Sequence, residues 1–172
     1  MKLILTGHDY AGKSTILQKL WEKENNGKMS YIHLSYREPT NRNFYDNTLE
    51  FSNFLMDRCF LDELIYPFVF GRKQNIDWHD AEALVQKCND KGITLAIVTC
   101  DEDELRRRIK ARTNIEEEPE VLQNILHIKN MYRDIADLYR LPVINTTGKT
   151  PNELVDEVYN LVKEDEKIHN IK

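Results

Sequence analysis

The residues best placed to do chemistry stand near the start of the chain, where Gly7-His8-Asp9-Tyr10-Ala11-Gly12-Lys13-Ser14-Thr15 satisfies the spacing G-x-x-x-x-G-K-[ST]. The glycines let the backbone curl so that its N–H groups face a polyphosphate, and a helix starting here would turn its positive end toward the same charge. Gly7, Tyr10, Ala11, Gly12, Lys13, Ser14 and Thr15 are thus the candidate cradle for the phosphates of ATP. Lys13 adds a point charge, and the Ser14 hydroxyl is placed to ligate Mg²⁺ bridging the outer phosphates. A glycine-containing turn, or a nucleotide held only as a regulatory ligand, would carry the same motif. Other residues must decide between them.

Those residues belong at the ends of strands, because ligands of open parallel sheets sit beyond the strands' carboxyl ends. Arg37 and Glu38 follow the second apolar run, Asp57 and Arg58 end the third, and the basic stretch Arg106, Arg107, Arg108, Lys110, Arg112 follows the fourth. Transfer of a phosphoryl group between anions needs cations on both sides. Arg37 and Arg58 are candidates for the acceptor, and Arg108 and Arg112 for a closing lid. Asp57 could hold a metal's water shell beside Ser14 or accept a proton; as a plain helix cap it would do neither. Arg108 and Arg112, four residues apart, share one helical face, with Leu105 and Ile109 on another. The alternative for this stretch is a solvated basic helix paired with Glu102, Glu104 and Glu116 to Glu118.

The elements that must position these groups read as an α/β alternation. Apolar runs at 2–6, 30–35, 54–57, 93–99 and 142–146 predict buried strands. Helical spacing appears in Lys13–Glu22, where Ile16, Leu17 and Leu20 share a face, and in Glu120–Tyr139, with Val121, Ile125, Ile128, Tyr132 and Ile135 in steps of three and four. Asp101 and Glu104 predict a capping box for the arginine helix. Thr150-Pro151-Asn152-Glu153 predicts another for a last helix through Val162. The expected architecture is one domain over 1–172, a three-layer fold with a five-stranded parallel sheet flanked by helices. A lid would occupy about 101–120 and a frayed polar tail 165–172.

Composition narrows the function classes. The chain has 172 residues, 41% hydrophobic and 31% charged, enough for one packed core. Its net charge of -5 disfavours a nucleic-acid polymer as partner, though a local basic cleft leaves that route open. Cys59, Cys88 and Cys100 form no CxxC pair, so neither zinc nor dithiol chemistry is indicated. No stretch has the length of a signal peptide's apolar region or of a membrane span, so a cytoplasmic location is expected.

With Gly7 to Thr15, Arg37-Glu38-Pro39 after the second strand, Asp57-Arg58 after the third, and the arginine helix, the sequence resembles the thymidylate kinase family, and its shorter phage-type members in particular. The resemblance implies transfer of the γ-phosphate of ATP to the 5'-phosphate of dTMP. It also implies a carboxylate at Asp9 on the sugar 3'-hydroxyl, catalytic arginines in the lid, and a homodimer. Tyr66, Phe68 and Phe70 are candidates to stack a pyrimidine, and aromatics at that spacing equally suit a core. The chain departs from the family in Thr40-Asn41 after Arg-Glu-Pro and in Cys59 after Asp-Arg, which opens the question of the base.

Three activities fit these residues. The first is a deoxynucleoside monophosphate kinase acting on dTMP or a related pyrimidine nucleotide. The second is a kinase of deoxynucleosides, or of a modified base in DNA, with Glu38 taking the proton from a hydroxyl. The third is a nucleotide-binding regulator without transfer. An Asn-Lys-x-Asp guanine motif is missing from the sequence.

Overall fold

The computed structural model describes residues 1–25, 27–35, 40–113 and 119–170. Its strands are β1 (Lys2–Thr6), β2 (Ser30–His33), β3 (Phe54–Asp57), β4 (Thr94–Thr99) and β5 (Val143–Asn145). They form one sheet in the order β2-β3-β1-β4-β5, every pairing parallel. The helices are α1 (Lys13–Glu24), α2 (Arg42–Thr48), α3 (Asp62–Val69), α4 (Trp78–Asp90), α5 (Glu102–Thr113), α6 (Pro119–Tyr139) and α7 (Pro151–Asn170). The α/β class and the five-stranded parallel sheet expected from the sequence are present. Sequence periodicity did not single out α2, α3 or α4.

The two-residue period of a strand sends neighbouring side chains to opposite faces, and both faces are covered. Leu3, Leu5, Leu55, Ala96 and Val98 pack with Ile16, Leu17 and Leu20 of α1 and Leu154, Val155, Val158 and Val162 of α7. Ile4, Phe54, Met56, Leu95 and Ile97 pack on the other side with Leu64, Ile65, Leu84, Val85, Ile128, Tyr132 and Ile135 from α3, α4 and α6. Helix α5 lies outside these layers, on a small cluster of its own: Cys100, Leu105, Ile109, Leu122 and Ile125, with Tyr10 against it.

Two local expectations need correction. The expected capping box of α5 does not form as read: Asp101 Oδ1 accepts from Asn145 Nδ2 at 3.0 Å, and Glu104 is taken by Arg107 and Arg108, both at 2.7 Å. Guanidinium groups one turn away hold the carboxylate more strongly than a backbone N–H would. Where a frayed tail was expected over 165–172, the described residues continue α7 to Asn170. Polar bonds replace apolar burial there: Thr94 Oγ1 donates to Asp165, the N-terminal ammonium sits 3.6 Å from Glu166, and the His169 ring is 2.5 Å from the Asn89 carbonyl. The box that opens α7 is present, with Thr150 N donating to Glu153 Oε2 at 2.7 Å and Glu153 N to Thr150 Oγ1 at 3.3 Å.

Candidate functional site

The phosphate-loop motif lies between β1 and α1, where the chain leaves the sheet over the floor set by β4. Gly7 has φ 139° and a Cβ there would stand 2.1 Å from the Val98 carbonyl oxygen, so only glycine passes. Tyr10 takes the left-handed conformation at φ 64°, as does Arg58 at φ 72° directly after β3. For residues with a Cβ this costs about 1–3 kcal/mol, an expense tolerated where surrounding contacts over-determine the shape. Both residues line the cavity described next.

A cavity of about 530 Å³ opens over the loop, lined among others by Lys13, Ser14, Asp57, Arg58, Arg112 and Lys149. Lys13 Nζ donates to the carbonyls of Gly7 at 2.7 Å and His8 at 2.8 Å. Burial pulls the pKa of this ammonium down, while the carboxylates of Asp62, Asp57 and Asp9 oppose the fall. Ser14 Oγ donates to Asp57 Oδ2 at 2.5 Å, and Asp57 Oδ1 is buried with no hydrogen-bond partner among the described residues. A hydroxyl beside a carboxylate with a spare oxygen is the donor set a hard divalent cation takes. The residues fit Mg²⁺ once phosphate oxygens complete the shell, since among the described residues no cluster of His, Cys, Asp and Glu could hold a metal alone.

A second cavity of about 400 Å³ adjoins, with Leu34, Tyr45, Asp62, Glu63, Tyr66 and Phe70 among its walls. Asp9 and Arg58 line both cavities and are paired at 2.7 Å, Arg58 Nη2 donating to Asp9 Oδ1. Burial alone would lower the Arg58 pKa, but Asp62 and Asp9 overcome it and raise the guanidinium's hold on its proton. The guanidinium also lies 5.5 Å from the centre of the Tyr66 ring. Of the aromatic trio, Tyr66 and Phe70 line this cavity, while Phe68 is 64% exposed and packs edge-on to His127.

The structure therefore brings together Gly7, Asp9, Tyr10, Ala11, Gly12, Lys13, Ser14, Thr15, Asp57, Arg58, Arg108, Arg112 and Tyr66 around two adjoining spaces. Arg37 and Glu38 lie outside the described residues. Arg108, read from the sequence as a lid arginine, lines the first cavity with its guanidinium bound to backbone carbonyls of the loop. Arg112 is exposed and stands 5.8 Å from the Tyr10 ring.

Several residues escaped the sequence reading. His33, last in β2 and in register with Asp57, places Nδ1 3.2 Å from Asp57 Oδ2. Thr146, one residue past β5, donates to the Ala11 carbonyl at 2.8 Å. Both sit at strand ends, so the same rule that selected Asp57 could have found them. His8 is fully buried, with Nδ1 2.7 Å from the Asp9 carbonyl and Nε2 3.2 Å from Thr99 Oγ1. Burial lowers its pKa to about 4. Asp62 accepts at Oδ2 from Thr6 Oγ1 at 2.6 Å and Cys59 N at 2.8 Å, and burial raises its pKa. Local sequence holds only its bond from Cys59, three residues away; the Thr6 hydroxyl comes from 56 residues away.

No protein-family model and no curated protein sequence matches the chain. Solved structures do. The YorR protein from Bacillus subtilis, solved in complex with phosphorylated GDP, superposes with a TM-score of 0.80 at 20% identity, over 97% of this chain and 98% of that one. A thymidylate kinase from Candida albicans matches with a TM-score of 0.60 at 16% identity, over 95% and 91%. A deoxyadenosine kinase from M. mycoides matches with 0.56 at 16%, over 95% and 100%. The fold is that of a P-loop kinase. Among the described residues no helix is long and apolar enough to cross a membrane.

Proposed function

We propose that this chain is a cytoplasmic, Mg·ATP-dependent kinase that moves the γ-phosphate of ATP to the 5'-phosphate of a deoxynucleoside monophosphate. The thymidylate kinase resemblance implies dTMP or a related pyrimidine deoxynucleotide. The observation that carries the reading is the pair of adjoining cavities that share Asp9 and Arg58. One offers a phosphate loop, the other an aromatic-walled slot, and a cation stands at their junction. A donor and an acceptor nucleotide meeting end to end need that arrangement. Likeness of fold to nucleotide and nucleoside kinases supports it.

In the proposed reaction an oxygen of the acceptor phosphate attacks the γ-phosphorus in line. The bond from that phosphorus to the β–γ bridging oxygen breaks, leaving ADP and a deoxynucleoside diphosphate. Ser14 and Asp57 would hold Mg²⁺, which when bound offsets the charge of the outer phosphates. Lys13 exchanges the Gly7 and His8 carbonyls for phosphate oxygens, a trade of neutral acceptors for charged ones. Arg58 holds the acceptor phosphate, and Asp9 fixes the Arg58 fork while facing the acceptor sugar. Arg112, on the exposed face of α5, covers the transferring group and excludes water.

The test is direct product detection after incubating the protein with Mg·ATP and a panel of deoxynucleoside monophosphates, deoxynucleosides and a modified-uracil oligonucleotide. A deoxynucleoside diphosphate is expected and names the base. A phosphorylated nucleoside or oligonucleotide would overturn the monophosphate assignment and move the general-base role to Glu38. Binding of ATP without any product would make the chain a regulator.

A further inference from the structure

Arg108 borders the phosphate-loop cavity, but the hydrogen bonds of its guanidinium go to the loop, to Thr146 and to Glu104. Its Nη1 donates to the carbonyls of Tyr10 at 3.0 Å and Ala11 at 2.9 Å and to Thr146 Oγ1 at 2.9 Å. Nη2 reaches the Thr146 carbonyl at 3.4 Å, and Nε is held by Glu104 at 2.7 Å. Every nitrogen of the group is engaged. Thr146 repeats the grip, its Oγ1 also 2.8 Å from the Ala11 carbonyl and 3.0 Å from that of Thr99.

We propose that Arg108 is a positioning residue that clamps the phosphate loop through the Tyr10 and Ala11 carbonyls, so that the loop's N–H groups face the donor nucleotide.

The physics is that of a flat peptide: a carbonyl pinned to one side directs the following N–H to the other. Pinning Tyr10 and Ala11 therefore sets the planes that carry the Ala11 and Gly12 amides. The loop needs such support, because Tyr10 is held at φ 64°, which an L-residue leaves when nothing resists. The grip comes from a firm platform. Leu105 and Ile109, on the same helix as Arg108, are buried against Leu122 and Ile125, and Tyr10 packs against that cluster. One turn further on, Arg112 stands over the Tyr10 ring, so α5 holds this one loop residue by its backbone and by its side chain. A swinging lid would not be tied to the loop in that way. The inference assigns Arg108 to donor binding and leaves Arg112 as the mobile cation of the reaction proposed above, on which it rests.

The experiment measures the affinity for a fluorescent ATP analogue, the acceptor KM and kcat in the wild type, Arg108→Lys and Arg108→Gly, the last with and without methylguanidinium. Both variants are expected to bind the analogue roughly 10- to 100-fold more weakly, the loss of one to two charge-assisted hydrogen bonds. Acceptor KM should stay within about twofold. Methylguanidinium should restore part of the affinity in Arg108→Gly, which no general loss of folding would allow. Lysine should not substitute, because a single ammonium cannot hold Glu104 and span both carbonyls. If kcat falls while analogue affinity is unchanged, Arg108 touches the reacting phosphate and the clamp is overturned; so too if affinity moves less than twofold in both variants. Should Arg108→Gly fail to fold, Arg108→Lys decides alone. Normal analogue binding by the wild type without any nucleotide product would sink the kinase reading and leave the clamp standing, whereas a wild type that binds no analogue refutes both.

Discussion

Arg58 and Asp9 meet at 2.7 Å on the ridge where the two cavities join, one residue from the turn after β3 and the other from the phosphate loop. Neither is free to move alone. Arg58 stands at φ 72°, its N–H donating to the Leu5 carbonyl at 3.0 Å, and its guanidinium is steered by the carboxylate and by the Tyr66 ring. The pair couples the donor side of the site to the acceptor side.

Removing either partner should therefore separate acceptor binding from donor binding. Arg58→Ala is expected to raise the acceptor KM at least tenfold and Asp9→Asn by about tenfold, both with ATP affinity within twofold. Steady-state kinetics with each substrate varied in turn measures this. Equal damage to both substrates would mean that the pair holds the loop and not the acceptor.

Lys13→Ala is expected to lower product formation by three orders of magnitude or more, because Lys13 carries the charge that meets the outer phosphates. The same variant should not lose stability. The ammonium is buried at 6% exposure with only two carbonyl partners and no direct ion pair among the described residues, so removing it also removes a desolvation cost. Thermal unfolding in the absence of nucleotide checks that half of the expectation.

Gly7→Ala should damage folding itself. The added methyl would lie 2.1 Å from the Val98 carbonyl oxygen, a backbone atom of the central sheet that cannot step aside, at a φ of 139° that L-residues rarely take. A loss of about 3 kcal/mol or more is expected from strain and displaced backbone. Denaturant unfolding of the variant gives the number, and a loss under about 1 kcal/mol would show that β4 yields.

Stability should fall with acid in a window set by His8. Its folded pKa is about 4, depressed by burial, against 6.5 in the unfolded chain. Between these values the unfolded chain binds the extra proton, so stability is fully present above about pH 6.5 and is lost as pH falls toward 4. The loss from this group is on the order of 3 kcal/mol. Unfolding curves at pH 7, 5.5 and 4.5 report the slope, and His8→Asn should flatten it.

The sequence by itself determined the phosphate loop, the alternation of strands and helices, and the placement of Asp57 and Arg58 after a strand. Those features are local: a motif fixes its own turn, and a short continuous apolar run marks a strand covered on both faces. Hence Lys2–Thr6 and Phe54–Asp57 were legible to the residue, and the last helix to its capping box. The tertiary structure alone decided what the charged side chains do. Arg108 and Arg112 look alike in sequence, four apart on one helix, yet one grips the Tyr10 and Ala11 carbonyls and the other stays exposed over a ring. Asp62 becomes a buried carboxylate and His33 a neighbour of Asp57 only because parallel strands bring their ends together. A side chain's partner depends on which backbone atoms fold into its reach: Tyr10 is 98 residues from Arg108, and Ala11 is 135 from Thr146.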